Sequence, residues 1–291
     1  MTLTAGGTTA RDITIPATDG FALSATLFPG GESAVVIMSS AAAVPRRFYR
    51  HFAAHLAARL DATVITYDYR GVGQSRPASL VGFEASMRDW AAKDFAGVVD
   101  FVRRTLPDRP IRLVGHSFGG LALGLTDRNA FIERAVFVAT ISGYWGNVVG
   151  AERLRVWLFA HLLGPLATLQ RGYLPGAALG IGEDLPRGVF ADWGRWIRSR
   201  HFHFEDPDLP ETRHYGDYRG EILAFGFTDD PWGPPRSVDA VLSRYVSARR
   251  EHRHPGPADV GAKAIGHMGF FRPEFRETLW RQAADWLASG G

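Results

Sequence analysis

Three short segments hold the residue types that could do chemistry together. The first is Gly115-His116-Ser117-Phe118-Gly119. The apolar run Ile111-Arg112-Leu113-Val114 enters it, and the helix-like run Gly120-Leu121-Ala122-Leu123 leaves it. A serine hydroxyl is a poor nucleophile until the backbone presents it to a base and to oxyanion donors. A G-x-S-x-G turn between a strand and a helix makes that presentation. The second segment is Phe227-Thr228-Asp229-Asp230-Pro231, directly after a strand-like run. A carboxylate there could accept the Nδ1–H of a histidine and stabilise the imidazolium. Neighbours in an extended segment point opposite ways, so the two acids cannot both face one histidine. Asp229 is the expected partner, with Asp230 capping or bracing the loop at Pro231. The third segment is Gly266-His267-Met268-Gly269, which offers His267 as general base in a glycine-bracketed loop.

The other histidines fit less well. His116 is the variable position of the turn, and His252 and His254 read as a polar loop. His201-Phe202-His203, with His214 nearby, has a metal-like spacing but no accompanying carboxylate or third histidine at a convincing separation. No metal and no organic cofactor is expected.

The elements that must position these residues alternate between apolar strands and amphipathic helices. Strands are expected at Arg11–Pro16, Phe21–Phe28, Ala34–Ser39, Ala62–Asp68, Ile111–Val114, Arg134–Ala139, Glu221–Phe227 and Ala262–Ile265. Helices are expected at Phe48–Leu60, Glu84–Leu106 and Glu274–Leu287. The pattern implies an α/β class: a mostly parallel sheet covered on both faces, with its site at the carboxyl ends of the strands. Residues 146–219 interrupt the alternation and are rich in aromatics, including Trp157, Trp193 and Trp196, with helices at Arg153–Leu169 and Gly188–Arg200. They read as a helical lid inserted into a core made of residues 1–145 and 220–291, with at least one tryptophan lining the cleft.

The 291 residues carry a net charge of +3, with 46% apolar and 22% charged residues, which suits a soluble globular chain. Basic residues are mostly scattered arginines without a binding motif, so no nucleic-acid partner is expected. With no cysteine, thiolate metal sites and a thiol nucleophile are excluded. The first twenty residues lack a signal-peptide core, and no run of 18 apolar residues offers a membrane span; a cytoplasmic location is the expectation.

On these residues the chain resembles the α/β-hydrolase superfamily. Gly115–Gly119 is similar to that family's nucleophile elbow, Asp229 to its acid after the penultimate strand and His267 to its histidine after the last. Asp68-Tyr69-Arg70-Gly71-Val72-Gly73-Gln74-Ser75 is similar to a D-x-R-G-x-G-x-S run common there, which is a structural turn. The segments around Asp229 and His267 also resemble a bacterial group of predicted α/β hydrolases of unassigned substrate. The chain departs from the many members that carry His-Gly before the oxyanion hole: here Ser39-Ser40-Ala41-Ala42-Ala43-Val44-Pro45 stands. The resemblance implies backbone donors at Phe118 and Ala42, with Ala41 the alternative to the latter.

The expectation is a Ser-His-Asp hydrolase of a small-molecule carboxylic ester or thioester. Its acyl-enzyme would form on Ser117, with an apolar or aromatic substrate group under the lid. An acyltransferase using the same triad and a non-catalytic binding protein on this scaffold are the rival readings. Oligomeric state is open, a homodimer included.

Overall fold

The computed structural model describes residues 9–289. Ten strands form among the described residues: β1 (Arg11–Pro16), β2 (Ala22–Phe28), β3 (Val35–Ser39), β4 (Thr63–Tyr67), β5 (Ile111–His116), β6 (Ile132–Val138), β7 (Tyr173–Leu174), β8 (Leu185–Pro186), β9 (Glu221–Phe225) and β10 (Arg249–Arg253). Eight make one sheet in the order β1-β2-β4-β3-β5-β6-β9-β10, and β7 pairs only with β8. Pairing is antiparallel for β1–β2 and β2–β4, and parallel from β4 through β10. This is the mostly parallel, helix-covered sheet expected of the α/β-hydrolase fold.

The central strands are apolar along their whole length because both faces are covered. Alternate residues supply two cores. Ile37, Ile65 and Leu113 pack with Val98, Val102 and Val241 from the helices Ala96–Thr105 and Pro235–Leu242. Val36, Val64 and Val136 pack with Leu56, Leu60, Ala283 and Leu287 from Arg50–Leu60 and Arg281–Ala288. The chain runs from β3 outward to β4, then crosses back to β5 on the other side of β3. The sheet's switch point therefore lies between the carboxyl ends of β3 and β5, where open α/β sheets place their ligands.

Two expectations need correction. Ala262–Ile265 is not a strand. The amides of Ile265 and Gly266 donate instead to the Asp229 carboxylate, which removes them from any ladder. The last strand is β10, Arg-Arg-Glu-His-Arg, parallel to β9. As an edge strand it is largely open to solvent, so it carries charge where an apolar run was sought.

The chain between β6 and β9 leaves the sheet. It contains a helical run with segments Glu152–Leu158, Phe159–Leu163 (a π turn) and Gly164–Arg171, then the β7–β8 hairpin and the helix Arg187–Arg198. Val156, Ala160, Gly164 and Thr168 of the run are buried.

Candidate active site

β5 delivers Ser117 at φ 50° and ψ −113°, a positive-φ geometry that an L residue holds only when its surroundings impose it. Two constraints do so. The Ser117 amide donates to Val138 O at 2.9 Å, tying the turn to β6. The flanking glycines let the strand and helix cross: a Cβ on Gly115 would stand 2.5 Å from Gly120 Cα, and one on Gly119 would stand 2.1 Å from Ser39 O. The G-x-S-x-G spacing is thus a clearance requirement.

Beside Ser117, the amide of Phe118 opens a short helix, Phe118–Leu121, and has no partner among the described residues. Across from it, in the loop after β3, the Ala41 amide is already committed to Tyr49 Oη at 2.9 Å. The Ala42 amide has no acceptor among the described residues. Of the two alanines, Ala42 therefore keeps a free donor.

His267 lies in a short helix, Gly266–Gly269, and its Nδ1–H donates to Asp230 Oδ2 at 2.7 Å. The carboxylate on His267 is Asp230, not the expected Asp229. The segment is not extended: Asp230 N–H donates to Phe227 O, closing a turn with Asp229 near its apex. Asp229 points away and receives the amides of Ile265 at 2.8 Å and Gly266 at 3.0 Å, which anchors the chain just before His267. Asp230 is almost wholly buried. Burial alone would raise its pKa, but the facing His267 and the amides of Trp232 and Gly233 outweigh it and hold the carboxyl below its ordinary range.

A buried hydrogen-bond chain links the two sides. His116 Nε2 lies 3.0 Å from the His267 carbonyl, which can only accept, so Nε2 carries the proton. His116 Nδ1 then accepts from Tyr49 Oη at 2.8 Å, while Tyr49 Oη accepts from Ala41 N–H. Burial, reinforced by nearby His267, pushes His116 down to about 3, so it stays neutral. Burial raises the Tyr49 phenol, which keeps its proton to donate. One neutral chain therefore joins the loop before Ala42, the residue before Ser117 and the backbone of His267. In the sequence His116 is only the variable position of the turn and Tyr49 carries no motif; the two partners lie 67 residues apart, so no local pattern shows their pairing.

Ser117, Phe118, Ala42 and His267 line one cavity of about 450 Å³. No hydrogen bond joins Ser117 Oγ to His267 among the described residues. The walls are apolar, with Trp193, Trp196 and Val156 from the β6–β9 segment and Trp232 from the loop after β9. Glu152 is its one carboxylate, taking Trp232 Nε1–H at 3.3 Å. The Asp68–Ser75 run is a buried turn: Asp68 accepts Arg46 N–H at 2.6 Å and Gln74 N–H at 3.0 Å and pairs with the Arg46 guanidinium, and Ser75 Oγ donates to Asp68 O at 2.8 Å. His201, His203 and His214 have separate partners in Glu205, Tyr215 and Asp217. No cluster of three metal-ligating side chains occurs among the described residues.

A family model described as the alpha/beta hydrolase family matches residues 29–276. An esterase from Pyrococcus furiosus superposes with a TM-score of 0.62 at 16% identity, over 96% of this chain and 90% of that one. An esterase from Exiguobacterium antarcticum gives 0.61 at 14%, over 96% and 100%. The thioesterase domain from the curacin biosynthetic pathway gives 0.55 at 15%, over 97% and 100%. At such identities these likenesses speak to the fold. No curated protein matches the chain.

Proposed function

The chain belongs to the alpha/beta hydrolase family, and from that premise we propose that it is a serine hydrolase that cleaves a carboxylic ester or thioester through an acyl-enzyme on Ser117. The observation that carries this reading is the shared cavity: the strained Ser117, the Asp230-bound His267 and the free amides of Ala42 and Phe118 all open into it. With Nδ1–H held by Asp230, His267 keeps Nε2 free as base. Ser117 Oγ attacks the acyl carbon as its proton passes to Nε2. The amides of Ala42 and Phe118 receive the oxyanion. The leaving alcohol or thiol takes the proton from His267, and a water activated at the same nitrogen releases the acid. Asp229 serves as an anchor for the histidine loop.

Residues 146–219 act as a lid in this reading. The tryptophans and aliphatic residues they place on the cavity support an apolar or aromatic substrate group. The neighbours described as an esterase and a thioesterase agree with the bond class. The test is intact-mass spectrometry after a fluorophosphonate probe, on wild type and Ser117→Ala. One adduct on wild type and none on the variant is expected. No adduct on folded wild type would leave a binding protein on a hydrolase scaffold.

A further inference from the structure

The helical run from Glu152 to Arg171 has its apolar pattern turned inside out. Amphipathic helices of globular proteins put large apolar residues inward and polar ones outward. Here the inward positions, at a strict spacing of four, are Val156, Ala160, Gly164 and Thr168. The inner face is small because the run lies close on its neighbour: a Cβ on Gly164 would stand 2.3 Å from the Phe190 ring. Phe159 packs inward on Phe190 and Trp193, but five leucines of the run face out. Leu154 is 62% exposed, Leu162 47%, Leu163 54%, Leu166 55% and Leu169 72%. Five leucines are exposed on one helical run, and Leu162, Leu166 and Leu169 stand at the spacing of one helix face, an exposed apolar surface of the kind that marks an interaction site.

Charge narrows the occupant. From Arg153 to Gly182 the chain contains no Asp or Glu, while Arg153, Arg155 and Arg171 are all exposed on the same run. Arg155 touches Glu152 at 3.3 Å with its side chain 78% exposed, and Arg153 lies over the Trp145 ring at 5.2 Å. A second copy of this face would bring three arginines against three arginines, with Glu152 the one acid of the run. An anionic lipid headgroup layer offers the opposite charge, with acyl chains beneath it for the leucines. Among the described residues no helix is long and apolar enough to cross a membrane, so contact would be from the side.

We propose that the Glu152–Arg171 run is a docking face for anionic lipid bilayers, lying in the headgroup layer with its leucines buried and its arginines on the phosphates. Val156 of the same run lines the cavity, so the docked helix would form a wall between bilayer and substrate site. This goes beyond the hydrolase reading and does not depend on it.

The test is co-sedimentation with vesicles, carried out in a Ser117→Ala background so that hydrolysis plays no part. Binding is expected to vesicles of phosphatidylcholine mixed with phosphatidylglycerol, and little to phosphatidylcholine alone. Leu162→Gln with Leu166→Gln and Leu169→Gln should lower the partition coefficient ~10-fold or more. Arg153→Gln, Arg155→Gln and Arg171→Gln should each lower it roughly fivefold. With Ser117 intact, the leucine variant should hydrolyse a soluble short-chain ester as wild type does, since none of these leucines lines the cavity. Absent binding to phosphatidylglycerol vesicles, or undiminished binding by the leucine variant, would overturn the proposal. So would a dimer in analytical ultracentrifugation that the leucine changes dissolve, which would assign the face to a second copy.

Discussion

Two regions close on the same cavity under opposite rules. The rim built by the loops after β3, β5 and β9 is held by directional bonds between buried groups: Ala41 to Tyr49, Tyr49 to His116, His116 to the His267 carbonyl, and His267 to Asp230. Each member has a single satisfying partner geometry, and a broken link leaves a buried polar group unpaired. The β6–β9 segment reaches the cavity chiefly through packing of Trp193, Trp196 and Val156. Apolar contacts are non-directional and tolerate changes of size. The rim is therefore the part that can hold reacting atoms in place, and the β6–β9 segment is the part that can change what fits. On the proposed function the first sets the reaction and the second the substrate.

The sharpest way to break this comparison is within the rim. Asp230→Asn should lower kcat by ~10⁴-fold, because an amide cannot hold the His267 tautomer and charge as the carboxylate does. Asp229→Asn should instead cost about 1–3 kcal/mol of unfolding free energy, through weaker acceptance of the Ile265 and Gly266 amides, with a far smaller loss of kcat. Steady-state ester hydrolysis and urea unfolding of both variants decide it. A larger kcat loss for Asp229→Asn would reverse the assignment.

A change in the β6–β9 segment should read out differently. Trp193→Ala and Trp196→Ala are expected to raise KM for long-chain esters by roughly 10–100-fold, the range for removing apolar contact in a pocket, and to leave short esters little affected. Should both variants keep the wild-type preference for longer acyl chains, the apolar-group reading of the cavity fails.

The smallest expected effect tests the buried chain through pH. His116 is neutral when folded, with its pKa down at about 3 against an ordinary 6.5. Between those values the unfolded chain binds the proton and the folded one does not, so stability falls as pH falls. The expected cost is about 1.4 kcal/mol per pH unit well below the unfolded pKa, or about 2 kcal/mol between pH 7 and pH 5. His116→Gln removes that titration, and its urea-derived stability should depend on pH less steeply by this amount. An unchanged slope would mean that His116 does not stay neutral in the fold.

Much of this molecule was legible in order of residues. Strands such as Val35–Ser39 and Thr63–Tyr67 announce themselves because burial on both faces demands unbroken apolar runs. Gly115 and Gly119 announce the turn because only glycine clears the crossing backbone. β10 did not show, because an exposed edge strand needs no apolar side chains, and its hydrogen bonds come from the backbone whatever the residues are. Residue order does not separate Asp229 from Asp230, because which of two adjacent acids faces His267 depends on the turn closed by the bond from Asp230 N–H to Phe227 O.

Residue order alone carries the family, the mostly parallel sheet, and Ser117 and His267 as candidates, since these rest on local patterns: periodicity, small residues at a tight crossing, and motif spacing. The folded chain placed Asp230 rather than Asp229 on His267, committed the Ala41 amide to Tyr49, and turned the leucines of Glu152–Arg171 outward. Those outcomes depend on contacts between residues far apart in the chain, and a carboxylate, an amide or a leucine carries no local mark of which distant partner the fold will bring to it.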